Sequence, residues 1–344
     1  DSMEQEQVRE QLSPLVDEIV EAVISQISDQ VDVSRLKKIV LDEAVGLGPL
    51  EDFLADSAIS EIMVNCHNDI YLEKEGKLVK SDITFSSPEA VMSTIDRIIS
   101  PLGRRVDESS PMVDARLRDG SRVNAIIPPL ALKGPCLTIR KFSEKKLIAK
   151  DLIKFNSANQ AMVDFMQMCV AQRMNIIVSG GTGSGKTTLL NILSDFIPTD
   201  ERVVTVEDSA ELKLAQPHVV TLEARPANME GKGQVTIRDL VKNCLRMRPD
   251  RIILGELRGD EALAFLRAVN TGHPGSMTTV HADSPKGAIE QITLLALQGG
   301  TQLSRADVNH YVRSTIDLYV QLSRAGGRRY VSQVATAAML EQQA

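Results

Sequence analysis

The residues with the most specific chemical spacing are Gly180-Gly181-Thr182-Gly183-Ser184-Gly185-Lys186-Thr187. Glycine at the first and sixth positions, then Lys and a hydroxyl residue, is the pattern of a loop whose backbone N–H groups cradle phosphate oxygens. In that chemistry Lys186 reaches the β- and γ-phosphates and the Thr187 hydroxyl ligates Mg²⁺. Gly181, Thr182, Gly183, Ser184, Gly185, Lys186, Thr187 and Thr188 are therefore candidate nucleotide-binding residues. At ordinary residue frequencies the four fixed positions coincide in roughly one chain in a hundred of this length. The flanks suit the pattern too, with an Ile176-Ile177-Val178 strand before the loop and a Leu189-Leu190 helix after it.

Acidic residues end two further apolar runs. Asp250-Arg251-Ile252-Ile253-Leu254-Gly255-Glu256 closes a short strand on a carboxylate, which suits Glu256 to orient or deprotonate an attacking water. Gly255 stands where many nucleotide-hydrolysing sheets carry an aspartate, so Mg²⁺ is expected to rely on Thr187 and water. Val206-Glu207-Asp208-Ser209-Ala210-Glu211 is the second run; Glu207 and Glu211 are catalytic candidates, and a solvated strand end or helix cap fits the same residues. His273 and His281 bracket Met277–Val280 at a spacing unlike that of paired metal ligands. For His281, a hydrogen bond to a γ-phosphate and a satisfied core position are both open. Arg116, Arg122 and Arg140 offer rigid donor forks suited to phosphoryl oxygens, although solvated surface charge would look the same in sequence.

The elements that must position these residues divide by pattern. From about Glu4 to Val45 the chain reads as helical, with Leu12, Leu15, Val16, Ile19 and Val20 on one apolar stripe expected to pack on a neighbouring domain, a partner-binding helix being the other reading. From Gly46 to Phe142 the pattern is α/β: strands at Ile62–Asn65, Arg122–Ile127 and Cys136–Arg140, a hairpin around Lys74-Glu75-Gly76, and a helix opened by Ser87-Pro88. Residues 143–150 read as a linker. From 151 onward, apolar runs at Asn175–Ser179, Val203–Val206, Ile252–Leu254 and Met277–Val280 alternate with helical patterns, which predicts a parallel sheet covered on both faces. Thr236–Met247 reads as a helix with a capping box and a basic face. A closing hairpin is expected around Ala325-Gly326-Gly327.

At 344 residues the chain is long enough for two domains. Its net charge of −7 and 3% aromatic content argue against a nucleic-acid groove with stacking platforms. The four cysteines form no CxxC pair, so neither a zinc site nor a disulfide framework is expected. No apolar run is long enough for a membrane span, and the first residues are not signal-like.

Taken together, the phosphate loop, Glu207-Asp208, Arg251–Glu256 running into Leu257-Arg258-Gly259, and Asn270 through Pro285 resemble the secretion ATPases of type II and type IV systems. In that superfamily they stand as Walker A, Asp box, Walker B and His box. Glu230-Gly231-Lys232-Gly233 leading to Thr236–Leu240 looks most like the CpaF branch, the tight-adherence (Flp-type) pilus assembly ATPases. Leu257–Gln291 looks equally close to the type IV secretion traffic ATPases. The absence of the four-cysteine zinc insert found in other branches favours this side of the superfamily.

The resemblance implies an α/β fold: a RecA-like P-loop NTPase domain over 151–344, a smaller α/β domain over 46–142, and a helical segment over 1–45. It implies an ATP- and Mg²⁺-dependent hexameric motor, cytoplasmic and peripheral on an inner membrane, working with a platform protein of a pilus or secretion system. ATP would sit at the phosphate loop between the two domains. It also strengthens Glu207, Glu211, His281, Arg116, Arg122 and Arg140 as site residues. The competing expectations are a slow nucleotide-gated assembly switch and a DNA-translocating RecA relative.

Overall fold

A computed structural model describes residues 2–24, 32–142, 146–228 and 231–342. The chain divides into two compact units, Asp1–Glu144 and Lys145–Ala344.

The N-terminal unit opens with α1 (Ser2–Ile24) and α2 (Val33–Val45). The expected single helical stretch is thus two helices, and residues 25–31 lie outside the described residues. Asp32 caps α2 by accepting the Arg35 N–H at 3.1 Å. The apolar stripe is split as well: Val16 and Val20 are buried, but Leu15 and Ile19 are 51% and 54% exposed. A helix covered along one narrow strip leaves the flanking apolar residues in water. After α3 (Leu50–Ala55) come β1 (Ile59–Cys66), β2 (Asp69–Lys74), β3 (Lys77–Lys80), α4 (Pro88–Ile99), β4 (Met112–Arg116), β5 (Arg122–Ile126) and β6 (Cys136–Arg140). They form an antiparallel sheet in the order β3-β2-β1-β6-β5-β4. Glu75 and Gly76 both take positive φ (51° and 79°), the geometry of a two-residue hairpin turn whose twist matches its strands. Ser87 caps α4 through the Ala90 N–H, and Val91, Ile95 and Ile99 join Ile62, Leu137 and Ile139 in one core.

The C-terminal unit runs α5 (Ala149–Lys154), α6 (Gln160–Ala171), β7 (Ile176–Gly180), α7 (Lys186–Ser194), β8 (Val203–Glu207), β9 (Val219–Glu223), α8 (Ile237–Cys244), β10 (Arg251–Leu257), α9 (Glu261–Asn270), β11 (Met277–His281), α10 (Pro285–Gln298), α11 (Arg305–Thr315), β12 (Leu318–Ala325), β13 (Arg328–Thr336) and α12 (Ala337–Glu341). Its sheet has the order β13-β12-β7-β11-β10-β8-β9, parallel throughout except for the final β12–β13 hairpin. Successive side chains point to opposite faces. Ile177, Ile252 and Leu254 therefore enter the core under α8–α11, while Ile176, Val178 and Ile253 enter the core under α6 and α7. Burial on both faces is why these strands read as uninterrupted apolar runs.

Two boundaries differ from expectation. The stretch read as a linker joins this unit early: Leu147 and Ala149 pack on its core and Lys146 pairs with Asp195 at 2.6 Å, while residues 143–145 lie outside the described residues. Helix α8 ends at Cys244 instead of Met247, because the chain tightens into i→i−3 turns before Arg248, whose φ is +53° and which precedes Pro249.

Candidate nucleotide site

Strand β7 lies inside the seven-stranded sheet, between β12 and β11, and delivers the glycine loop to the start of α7. Gly183 and Gly185 take φ of 69° and 96°, left-handed values that cost glycine nothing and other residues much. A side chain at Gly180 would lie 2.9 Å from the Leu322 carbonyl on β12, so the loop must leave the sheet on a glycine. Ser184 Oγ donates to the Gly181 carbonyl at 2.8 Å and Lys186 Nζ donates to the same oxygen at 3.1 Å, which folds the ammonium back over the loop. Gly185 is the N-cap of α7, and no side chain caps that end among the described residues. A helix that begins without a side-chain cap presents amide hydrogens and the positive end of its dipole to an anion. Thr187 and Thr188 stand in the first turn, half-buried and exposed.

The neighbouring strands bring acidic groups to the same edge. His281 pairs in register with Gly180, and Leu254 pairs with Val206, so β7, β8, β10 and β11 end side by side. Glu207 is 3% exposed, and its Oε1 accepts the N–H groups of Glu211 and Leu212 at 2.8 and 3.0 Å. It caps the turn after β8 while standing at the site. A Cβ on Gly255 would lie 3.1 Å from Cγ of Glu207, so the neighbouring side chain fills the space an aspartate at 255 would need. Thr279 Oγ1 donates to the Gly255 carbonyl at 2.8 Å and ties β11 to the end of β10.

Glu256 Oε2 accepts the Arg258 Nε–H at 2.6 Å, and Arg258 Nη1 stands 3.8 Å from Asp208. Burial alone would lower the Arg258 pKa; the carboxylates of Glu256, Asp208 and Glu211 outweigh it and hold the guanidinium above its ordinary value. Arg258 was not singled out by its type in sequence, although its position two residues past Glu256 places it on the same side of an extended chain. The two histidines differ. His273 Nδ1–H donates to the Ala268 carbonyl at 2.8 Å, whereas His281 is exposed at the end of β11.

The three arginines form a set of their own in the N-terminal unit. Arg116 pairs with Arg122 across β4–β5, Arg122 pairs with Arg140 across β5–β6, and Arg140 faces Glu61 on β1. Residues directly opposite one another share a face, so 24 residues of chain separation collapse into one row. Arg116 Nε donates to the Gly120 carbonyl at 3.1 Å and Arg140 Nε lies 3.7 Å from Glu61. The structure thus gathers Gly181–Thr188, Glu207, Glu256 and His281 in one unit, with Glu211 in the turn beyond Glu207, and the arginine row in the other.

The model of the type II/IV secretion system protein family matches residues 43–324. The chain belongs to this family. It is 32% identical over 324 residues to the type IV secretion system protein VirB11 of Bartonella henselae, covering 84% of this chain and 91% of that one. It is 33% identical over 285 residues to the conjugal transfer protein TrbB of Rhizobium radiobacter, covering 82% and 84% of the two chains. In fold it is similar to the pilus retraction motor PilT with bound ADP, at a TM-score of 0.64 and 19% identity over 86% of this chain and 85% of that one. The α/β architecture is shared with that motor. No helix among the described residues is long and apolar enough to cross a membrane.

Proposed function

We propose that this chain is an ATPase motor that binds ATP at Gly181–Thr188 and splits it with Glu256 as the group that orients or deprotonates water. The observation that carries the reading is the loop itself: two left-handed glycines, a lysine folded over them, and a helix start without a side-chain cap, all at the carboxyl edge of a parallel sheet. Membership of the secretion family supports the same chemistry.

The donor set fits Mg²⁺, a hard cation that takes oxygen ligands. Thr187 would hold it through its hydroxyl, with the Glu207 and Glu256 carboxylates on neighbouring strands able to anchor its waters. Bound there, the ion would neutralise charge on the phosphoryl oxygens. The protein's own part is positioning: Lys186 and the loop amides hold the phosphates, and Arg258 fixes the direction of the Glu256 carboxylate. Glu207 and Glu211 complete the acidic side, and His281 is assigned to the γ-phosphate. Arg116, Arg122 and Arg140 are assigned to phosphoryl oxygens as a row.

We place the protein with the CpaF-like tight-adherence pilus and type IV traffic ATPases, as a hexamer on the cytoplasmic face of an inner membrane, coupled to a platform protein. The alternative, a slow switch, separates from the motor at Glu256. Glu256→Gln should retain ATP and abolish assembly of the pilus or secretion product in cells. Normal assembly by that ATP-locked protein would establish the switch and exclude the motor.

A further inference from the structure

Resting on the reading that the glycine loop holds phosphate, a second feature lies beside it. Strand β12 runs parallel to β7, and Leu322 pairs with Gly180. The chain two residues past Leu322 therefore travels alongside the phosphate loop, and that residue is Arg324. Across the hairpin it pairs directly with Arg329 of β13, the turn being made by Gly326 and Gly327 at φ of 57° and 79°. Arg324 Nη1 lies 3.3 Å from where a Cβ on Gly183 would stand, and Arg329 Cδ lies 3.8 Å from the same point on Gly185.

What sets the pair apart is its place beside the glycine loop; Arg248 and Arg267 of the same unit likewise have no carboxylate partner among the described residues. Arg173, Arg238, Arg251, Arg258 and Arg305 of the same unit each meet a carboxylate. Arg324 and Arg329 are exposed, and neither guanidinium has a carboxylate or hydrogen-bond partner among the described residues. Like charges directly opposite each other in an antiparallel pair destabilise it. Two guanidinium groups held side by side against an anion-binding loop become favourable once phosphoryl oxygens lie between them, since arginine forks hold such oxygens through charge-assisted bonds.

We propose that Arg324 and Arg329 are polyphosphate-binding residues, forming with Gly183 and Gly185 one wall of the nucleotide site from within the same unit. The site then takes a nucleoside di- or triphosphate whose charge is met from two directions, by the amides and Lys186 on one side and by the hairpin on the other.

The test is titration of the full chain with fluorescent mant-ATP at several salt concentrations, using Arg324→Ala, Arg329→Ala, the double variant and the two Arg→Lys variants. Arg328→Ala serves as a hairpin control, because its guanidinium donates to the Asn156 carbonyl at 3.3 Å instead. Each single alanine variant should weaken binding about tenfold, and the double about a hundredfold. Salt should matter less to these variants than to the parent, lysine should restore most of the loss, and Arg328→Ala should bind like the parent. Alanine variants within about twofold of the parent would overturn the proposal, as would a loss with unchanged salt dependence and no rescue by lysine. A parent protein that binds no better than Lys186→Ala would overturn the reading of the loop itself, and the hairpin proposal with it.

Discussion

The two edges of the C-terminal sheet both concentrate charge, and they use it in opposite ways. At the amino edge, Arg251 at the start of β10 is fully buried and forked onto Glu201, with Nε–Oε2 at 2.6 Å and Nη2–Oε1 at 3.0 Å. Its third nitrogen donates to the Val170 carbonyl at 2.6 Å, and Arg173 adds a second cation to Glu201 at 3.0 Å. Hydrogen bonds from Arg251, then from Arg173, hold the Glu201 carboxyl down to about 2, against the opposing effect of burial. At the carboxyl edge, Lys186, His281, Arg324 and Arg329 lie around a loop that leaves amides presented. A closed network of ions ties strands together. An edge whose charges face an open cradle can accept a ligand.

The largest effect that would sharpen this contrast is Glu201→Gln. Removing one partner leaves the Arg251 charge buried and uncompensated, so urea unfolding should show a loss of about 3–5 kcal/mol, with nucleotide affinity of the folded protein unchanged. The same pair sets a pH dependence. Because the folded pKa of Glu201 is depressed, its stabilisation is present above the unfolded carboxyl value and is lost as pH falls towards about 2. The parent should lose stability through that acid window more steeply than Glu201→Gln, and parallel curves would remove Glu201 from the account.

Lys186→Ala should do the reverse. It should cost about a hundredfold in ATP affinity and leave the melting temperature where it was, measured by calorimetry and equilibrium dialysis. A variant that unfolds would show that the loop is a structural turn.

What could be read before folding follows from how each residue type is used. Strands β7, β8, β10 and β11 were legible because both their faces are buried. Strand β4 was not, since Asp114 and Arg116 interrupt its apolar positions; β9, Val219-Val220-Thr221-Leu222-Glu223, repeats the apolar pattern of β8 and was missed in spite of it. The glycine loop is contiguous and was legible as a motif; the arginine row is a product of strand register across β4, β5 and β6 and has no local signature. Arg324 and Arg329 were passed over for the same reason, as two charges in a hairpin whose neighbours in space, Gly183 and Gly185, are 141 and 144 residues away in sequence. Glu201 has no local signature either, because its partner Arg251 lies 50 residues further along the chain and only the fold buries it beside the carboxylate. On α1, periodicity located the helix face but could not tell how wide a strip α2 would cover.

Smaller effects test finer points of the carboxyl edge. Gly255→Asp forces a side chain into the space held by Glu207 and should destabilise by about 1–3 kcal/mol; an aspartate accepted there without loss of stability would show that Glu207 does not set the choice of glycine. Smallest is Thr236→Ala, which removes the capping box that opens α8, where the Thr236 hydroxyl accepts the Asp239 N–H at 3.1 Å. It should cost about 1 kcal/mol and leave nucleotide binding untouched, since the cap's bonds run between Thr236 and Asp239 and involve no residue of the glycine loop.

Release of phosphate from ATP by the purified full chain, with and without Mg²⁺ and beside Glu256→Gln, bears most directly on the central claim. The parent should cleave ATP only with Mg²⁺ present, and Glu256→Gln should be slower by about 10²–10⁴-fold with ATP still bound. Folded parent protein that neither takes up nor cleaves ATP would contradict that claim.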